Sequence, residues 1–278
     1  RFEGHDVSVE VKIEAFRNKV KIYELMADKI YNLPPGTVNK IDFPVERQDG
    51  KTGELAFGYQ GALGAWLKFD SSGRHTDERI LEICRAWRKE HPNIVEFWGA
   101  LERAAKRAIK YKGTICSAGP FISFQYVDDW LSMIAPDGKR IWYYKAYTRK
   151  NVRPHWHKPR ENEDCLVGEC DCGYTSKIMY MSYKEGHWKW VSTYGGKFSE
   201  NATQMTSRQV LKPAVTRAEN GGYPVILTVY DEVVSEVPDG FGSQEEFEEL
   251  LLPQPGDIAY EYGWPISVDA WTGKVYKK

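Results

Sequence analysis

Residues 225–234 have the sequence Val-Ile-Leu-Thr-Val-Tyr-Asp-Glu-Val-Val, in which two apolar, β-branched runs flank a short polar centre. This pattern predicts a hairpin with strands over Tyr223–Val229 and Val233–Val237. A turn this short usually requires Gly or Asn, and neither is present. Alternation along a regular strand sends Asp231 and Glu232 to opposite faces, which leaves one carboxylate for a hard cation such as Mg²⁺. The alternative is an ordinary acidic turn.

A second informative stretch carries Arg47, Lys51, Leu55 and Tyr59 at steps of four. An Asp-x-Pro sequence at residues 42–44 predicts a helix start, and we expect the helix to run to about Tyr59. Residues four apart share a helix face, so two cations, an apolar side chain and an aromatic ring lie in line. Such a face suits a triphosphate and a base or sugar. The alternative is a helix with a mixed surface stripe.

Around these two stretches, the predicted secondary structure changes from mainly helical in the first half of the chain to strands and a helix in the second. Apolar residues recur at helical spacing in the first 130 residues, in Ile22–Leu33, Thr76–Glu90 and Pro92–Tyr111. Three later stretches are typical of a strand, a hairpin and a helix, namely Ile141–Tyr144, Lys177–Val191 and Glu200–Ala218. A helical half followed by a sheet-and-helix half predicts an α+β fold.

Composition excludes several classes of protein. Apolar residues make up 42% of the chain and charged residues 28%, which is ordinary for a globular protein and unlike a disordered chain. No apolar run is long enough for a transmembrane helix, and five Cys do not indicate a disulfide framework. We therefore expect a cytoplasmic protein with no membrane partner. The N-terminus carries neither a starting Met nor a signal region, so a fragment or processed product is expected.

The net charge of −1 conceals a strong segregation of charge. Residues 139–160 carry eight basic and no acidic side chains, whereas residues 218–273 carry twelve acidic side chains and no Lys or Arg. This predicts a polyanionic partner on one side and a cation-attracting region on the other, unless the charges are only solvated faces. Aromatic rings alternate with the cations of the basic stretch, which suits a nucleic-acid backbone. The alternative is a strand that buries every second ring.

Three cysteines form a possible zinc site. Cys165, Cys170 and Cys172 lie close in sequence to His155 and His157, and these residue types bind Zn²⁺. Their C-x4-C-x-C spacing is not a standard zinc finger, so a variable surface loop with free thiols is the alternative.

The order of these pieces resembles family A DNA polymerases in the form found in bacteriophages. Residues 47–61 resemble the fingers helix of that family, residues 193–204 the segment before its palm helix, and residues 223–234 its catalytic hairpin. Residues 136–140 are similar to a short palm turn, and residues 17–31 fit the region ahead of the nucleotide helix.

The resemblance implies a right-hand polymerase fragment, with helical fingers over residues 1–130 and the C-terminal, antiparallel-sheet part of the palm over residues 131–278. The implied function is DNA-templated DNA synthesis from deoxynucleoside triphosphates on a primer–template, by a two-Mg²⁺ mechanism. The alternatives are a non-catalytic DNA-binding remnant or a subunit of a split polymerase, and, from the Cys cluster, a zinc-bearing interaction module.

Individual roles follow from the resemblance. Arg47 and Lys51 would bind the incoming triphosphate, with Lys51 counted among the catalytic residues. Leu55 would lie beside the nucleotide, and Tyr59 would close the pocket near the templating base. Asp231 would bind catalytic Mg²⁺, with Glu232 in support. Contacts to DNA are expected for Gln204, Arg208, Tyr230, Lys139 and Arg140.

The sequence departs from the family pattern at three points. Leu55 replaces a common Phe or Tyr, and Tyr230 replaces the usual His. The family's other catalytic Asp belongs to a motif like Asp-Tyr-Ser-x-Ile-Glu, which Asp6-Val7-Ser8 imitates only at its start. We therefore expect little or no polymerase activity from these residues alone, and an N-terminal polymerase chain as the partner that supplies the missing Asp.

Overall fold

The computed structural model describes residues 13–152 and 174–276. These residues form two compact units: the first comprises residues 23–152 and 174–202, and the second comprises residues 13–22 and 203–276. The chain combines helices with antiparallel sheet, as the predicted α+β class requires.

The first unit begins with helices that pack around an aromatic core. They are α2 (Ile22–Ile30), α3 (Pro44–Phe57), α4 (Leu63–Phe69), α5 (Asp77–Glu90) and α6 (Pro92–Lys110). The rings of Phe57 and Trp66 stack 5.7 Å apart, and those of Trp87 and Trp98 stack 6.1 Å apart. All four side chains are buried, so this cluster supplies much of the hydrophobic stabilisation of the helices.

A six-stranded antiparallel sheet completes the first unit. Its strands follow sequence order: β1 (Ile115–Ser117), β2 (Ser123–Val127), β3 (Trp130–Ile134), β4 (Arg140–Val152), β5 (Tyr174–Lys184) and β6 (His187–Thr193). Helix α6 packs against β1–β4. The inner face buries Phe124 and Tyr143, whose rings both contact Phe198 at the start of α7 (Gly195–Asn220).

The second unit contains α1 (residues 13–17), most of α7, the hairpin of β7 (Val225–Val229) and β8 (Glu232–Ser235), α8 (Gln244–Leu251) and α9 (Ile258–Glu261). Arg217 of α7 fixes the end of α8 by donating to the carbonyl oxygens of Leu250 and Leu252, each at 2.8 Å. Its guanidinium also forms an ion pair with Asp257 at 2.7 Å. The partly buried Arg217 side chain therefore joins α7 to residues 250–257, which lie 33 to 40 residues further along the chain.

Several elements differ from expectation. Strands β1 and β2 lie within the stretch predicted to be mainly helical. Helix α7 begins five residues before the predicted Glu200, because the chain turns directly from β6 into the helix. The predicted division between residues 130 and 131 falls after the first residue of β3, and one division between the two compact units lies between Ala202 and Thr203. The assignment of these parts as fingers and palm stays a prediction.

Within the part of the chain that the structure describes, no helix is both long enough and apolar enough to span a membrane.

Candidate active site

Helix α3 carries the predicted nucleotide-binding residues along one strip, which we call the α3 strip (Arg47, Lys51, Leu55 and Tyr59). The helix ends at Phe57, two residues before the predicted end, so Tyr59 lies in the following turn. Leu55 and Tyr59 are both exposed. The structure therefore brings an apolar side chain and an aromatic ring to the surface beside a half-buried Lys51.

The two cations of the α3 strip differ in their surroundings. Arg47 donates from Nε to Glu24 of α2 at 3.2 Å, and its guanidinium lies 5.8 Å from the centre of the Tyr23 ring. No ion pair or hydrogen bond of the Lys51 side chain is found among residues 13–152 and 174–276. Arg47 thus helps to hold α3 on α2, whereas the Lys51 side chain has no such partner among the described residues.

A buried carboxylate anchors the opposite side of α3. Asp49 is fully buried and accepts hydrogen bonds from the Tyr31 hydroxyl and from Arg74 Nη2, the latter at 2.8 Å. His75 Nε2 lies 2.9 Å from the second Asp49 oxygen. Burial, together with the hydrogen bond to Asp49, raises the pKa of Tyr31 above its ordinary value. This cluster, which the sequence analysis missed, fixes α3 so that the α3 strip faces outward.

Close backbone packing also constrains α3. A Cβ atom at Gly50 would lie 2.0 Å from the Tyr23 carbonyl oxygen and 2.7 Å from the Ala27 nitrogen. Both distances are far shorter than van der Waals contact, so only glycine lets α3 approach α2 this closely.

The end of the α3 strip contacts the start of α7. The Gly196 amide donates to Gln60 Oε1 at 2.8 Å, although 136 residues separate the two in sequence. A Cβ at Gly196 would lie 2.2 Å from the Tyr59 carbonyl oxygen. The motif at residues 47–61 and the start of the motif at residues 193–204, two of those that carried the resemblance, are therefore neighbours in the first unit.

In the second unit, the predicted hairpin forms with Tyr230 and Asp231 as its two-residue turn. Tyr230 adopts a φ of 56°, in the left-handed region that favours glycine, and its side chain is 89% exposed. Such a conformation costs a non-glycine residue on the order of 1–2 kcal/mol. Asp231 is exposed at the tip, and Glu232 accepts a hydrogen bond from the Tyr276 hydroxyl. That bond raises the pKa of Tyr276.

The residue types at this tip suit Mg²⁺, but their number does not complete a site. Carboxylate oxygens are the ligands that Mg²⁺ prefers. Within the described ranges, no three His, Cys, Asp or Glu side chains are arranged to hold a metal ion. Asp231 and Glu232 would therefore need further ligands from elsewhere to bind Mg²⁺ tightly.

Two predicted DNA-contacting residues lie on α7. Gln204 and Arg208 are one helical turn apart, and both side chains are exposed. The two side chains share one face of the helix, and their contact with DNA stays a prediction.

Two further predicted DNA contacts, Lys139 just before β4 and Arg140 at its first residue, have protein partners. Lys139 pairs with Asp137 at 3.2 Å. Arg140 Nη1 donates to Gln125 Oε1 at 3.0 Å and to Ser132 Oγ at 2.8 Å. These two bonds therefore fix the Arg140 guanidinium against strands β2 and β3.

The predicted zinc ligands Cys165, Cys170 and Cys172 lie outside the described residues. The zinc and free-thiol interpretations both stay predictions, and zinc analysis of protein purified without chelator distinguishes them. Cys84 and Cys116 are buried free thiols.

Comparison with known proteins gives one informative relative. No protein-family model matches the chain. The DNA polymerase of Bacillus phage SP02 is 32% identical to it over 270 residues, which is 97% of this chain and 38% of that polymerase. The chain thus spans less than two fifths of the length of this curated relative. The resemblance predicted from the motifs is confirmed: over nearly its whole length, this chain is similar to part of a bacteriophage DNA polymerase.

Proposed function

We propose that this chain takes part in DNA-templated DNA synthesis as the nucleotide-binding and C-terminal portion of a family A polymerase. The observation that carries the proposal is the 32% identity over 97% of the chain to a phage DNA polymerase. The substrates would be deoxynucleoside triphosphates and a primer–template. Helices α2–α6 would act as fingers, and α7 with the β7–β8 hairpin would belong to the palm.

The α3 strip would receive the incoming nucleotide. Lys51 would form a charge-assisted bond to the triphosphate, which suits its lack of a partner among the described side chains. Arg47 would add positive charge from its fixed position beside Glu24. Leu55 and Tyr59 are exposed one turn further along and would pack against the sugar and base.

The hairpin would supply one ligand for the reaction's metal ions. Asp231 would bind Mg²⁺ and Glu232 would support it. The metal, when bound, neutralises charge on the triphosphate and aligns the attacking and leaving oxygens. The chain's own residues contribute position: the tight turn at Tyr230 holds the Asp231 carboxylate at the hairpin tip.

The hairpin also supports the proposal that another polymerase segment completes this site. A two-stranded sheet by itself is marginally stable in water. Ile226 is 60% exposed, and its neighbour Leu227 is exposed as well. A hairpin with exposed apolar side chains suits a further palm segment that carries the Asp-Tyr-Ser-x-Ile-Glu motif.

A second candidate function is a non-catalytic, DNA-binding subunit. The observation that favours it is the lack of a complete metal-ligand cluster in residues 13–152 and 174–276. The two candidates differ in what happens when the missing motif is supplied.

Complementation separates the candidates. The purified chain is mixed with a polymerase segment that contains the Asp-Tyr-Ser-x-Ile-Glu motif, and extension of a labelled primer by one nucleotide is measured. We expect no extension by the chain alone and extension by the mixture. Strong extension by the chain alone would contradict the proposed division of ligands, and a silent mixture that still binds primer–template would favour the non-catalytic candidate.

The α3 strip has its own test. Lys51→Ala should weaken binding of a fluorescent deoxynucleoside triphosphate by about 1.5–3 kcal/mol, roughly 10- to 150-fold, because it removes a charge-assisted bond. Lys68→Ala, which removes an exposed Lys from α4 in the same unit, is the matched control. Equal weakening in both variants would mean that the affinity comes from the overall positive charge of the unit and not from a specific contact with Lys51.

A further inference from the structure

The six-stranded sheet has an outer face that is rich in aromatic rings. Strand pairing places seven aromatic side chains on this side, and we call them the aromatic face: Trp130, Trp142, Tyr144, Tyr147, Tyr183, Trp188 and Trp190. The residues that alternate with them, such as Leu131, Tyr143 and Ile178, are buried on the inner side. The aromatic face is thus the side that the hydrophobic core does not use.

The rings form connected groups across the strands. Tyr144 lies 4.7 Å from Trp130 on one side and 5.6 Å from Trp188 on the other, measured between ring centres. On the same side of the sheet, Tyr147 lies 5.0 Å from Trp190. All but Tyr144 are exposed, which leaves a large aromatic surface in contact with water. Contiguous exposed apolar surface is typical of sites that contact another molecule.

Positive charge accompanies the rings. The Arg140 guanidinium lies 5.7 Å from the Trp142 ring centre, and the Lys145 ammonium lies 5.3 Å from that of Tyr144. Arg149 and Lys177 are directly opposite each other on β4 and β5, next along the strands from Tyr147. No Asp or Glu occupies an outward strand position from β2 to β6.

We propose that the aromatic face binds single-stranded DNA. Unpaired bases expose the flat surfaces that Trp and Tyr rings stack on, and the neighbouring cations attract the phosphates. A duplex hides those base surfaces, and a second copy of this chain would bring like charges together. The choice of DNA over RNA rests on the proposed function. The stacking of unpaired bases on the Trp and Tyr rings does not depend on that function.

Oligonucleotide binding tests this face. Fluorescence anisotropy of a labelled oligo(dT) is measured with the full chain and with Trp142→Leu, Trp190→Leu and Trp271→Leu. Trp271 is the matched control, because it is 51% exposed, as Trp142 is, and belongs to the second unit and not to the sheet. We expect each sheet variant to weaken binding by roughly 5- to 150-fold and the control to leave it unchanged.

A charge-reversal variant tests the same face independently of the Trp substitutions. Arg149→Glu should weaken binding and reduce its dependence on salt, and it keeps the assay decisive if a Trp variant fails to fold. Equal loss in Trp142→Leu and Trp271→Leu, equal competition by a duplex, tighter binding of oligo(rU), or a dimer that the sheet variants dissociate would each overturn the proposal. Oligo(dT) binding requires no nucleotide incorporation, so failure of the proposed polymerase function and failure of this site give different results.

Discussion

Gly196→Ala is the substitution that tests the contact between the α3 strip and the start of α7. The added methyl group would lie 2.2 Å from the Tyr59 carbonyl oxygen and 2.5 Å from the Gln60 Cβ atom. The first neighbour is backbone, so no flexible side-chain end can move aside to relieve the clash. The Tyr59–Gln60 turn itself must shift, or the first turn of α7 must.

The size of the effect follows from this overlap. Inserting a methyl group into a filled space costs about 1–3 kcal/mol, and weakening the hydrogen bond from the Gly196 amide to Gln60 adds about 0.5–1.5 kcal/mol. We therefore expect the free energy of unfolding to fall by about 2–4 kcal/mol. Because Tyr59 moves with the turn, binding of a deoxynucleoside triphosphate should weaken as well.

Gly64→Ala is the control, because no atom lies within 4 Å of a Cβ at Gly64 and the residue is inside helix α4. It should stabilise the chain by up to about 1 kcal/mol, since Ala favours helix more than Gly. Urea denaturation followed by Trp fluorescence measures both variants. A Gly196→Ala protein as stable as Gly64→Ala would refute the close contact between Tyr59 and α7.

Three further predictions concern buried groups. Asp49→Asn should lower the free energy of unfolding by about 2–3 kcal/mol, because Arg74 loses a charge-assisted partner. The exposed control Asp239→Asn should change it by less than about 0.5 kcal/mol, and urea denaturation measures both variants. Burial raises the pKa of the Cys84 thiol, so iodoacetamide at neutral pH should modify Cys84 only after unfolding; mass spectrometry showing equal modification in native protein would contradict its burial. Burial also raises the pKa of Tyr143, so the unfolded chain loses this proton first and stability falls as pH rises above about 10. In Tyr143→Phe this fall should be shallower by up to about 1.4 kcal/mol per pH unit, and an unchanged slope would show that Tyr143 ionises normally.

Local patterns in the sequence predicted the parts of the structure that depend on neighbouring residues. Apolar spacing located α5 and α6 to within a residue or two, and the β-branched runs located the β7–β8 hairpin. For the basic stretch, the alternative interpretation was a strand that buries every second ring, and the structure buries Tyr143 while exposing Trp142. These features depend on helix or strand periods, which the sequence displays directly.

The remaining features depend on contacts between distant residues. The Asp49 carboxylate meets Arg74 and His75 through a loop that approaches α3 only in the folded chain. Likewise, no local signal relates Gly196 to Gln60. Strand β1 is three residues long, which is too short for its alternation to stand out against the helical sequence around it.

Single-nucleotide incorporation by the complemented polymerase tests the central proposal most directly, with Asp231→Asn compared against Asp239→Asn. If Asp231 binds catalytic Mg²⁺, Asp231→Asn should lower the rate about a thousandfold or more, because a metal ligand that stabilises the transition state is lost. Asp239→Asn, which changes a highly exposed carboxylate in the same unit, should retain the full rate. Equal rates in the two variants would contradict the assignment of the hairpin as part of a polymerase active site.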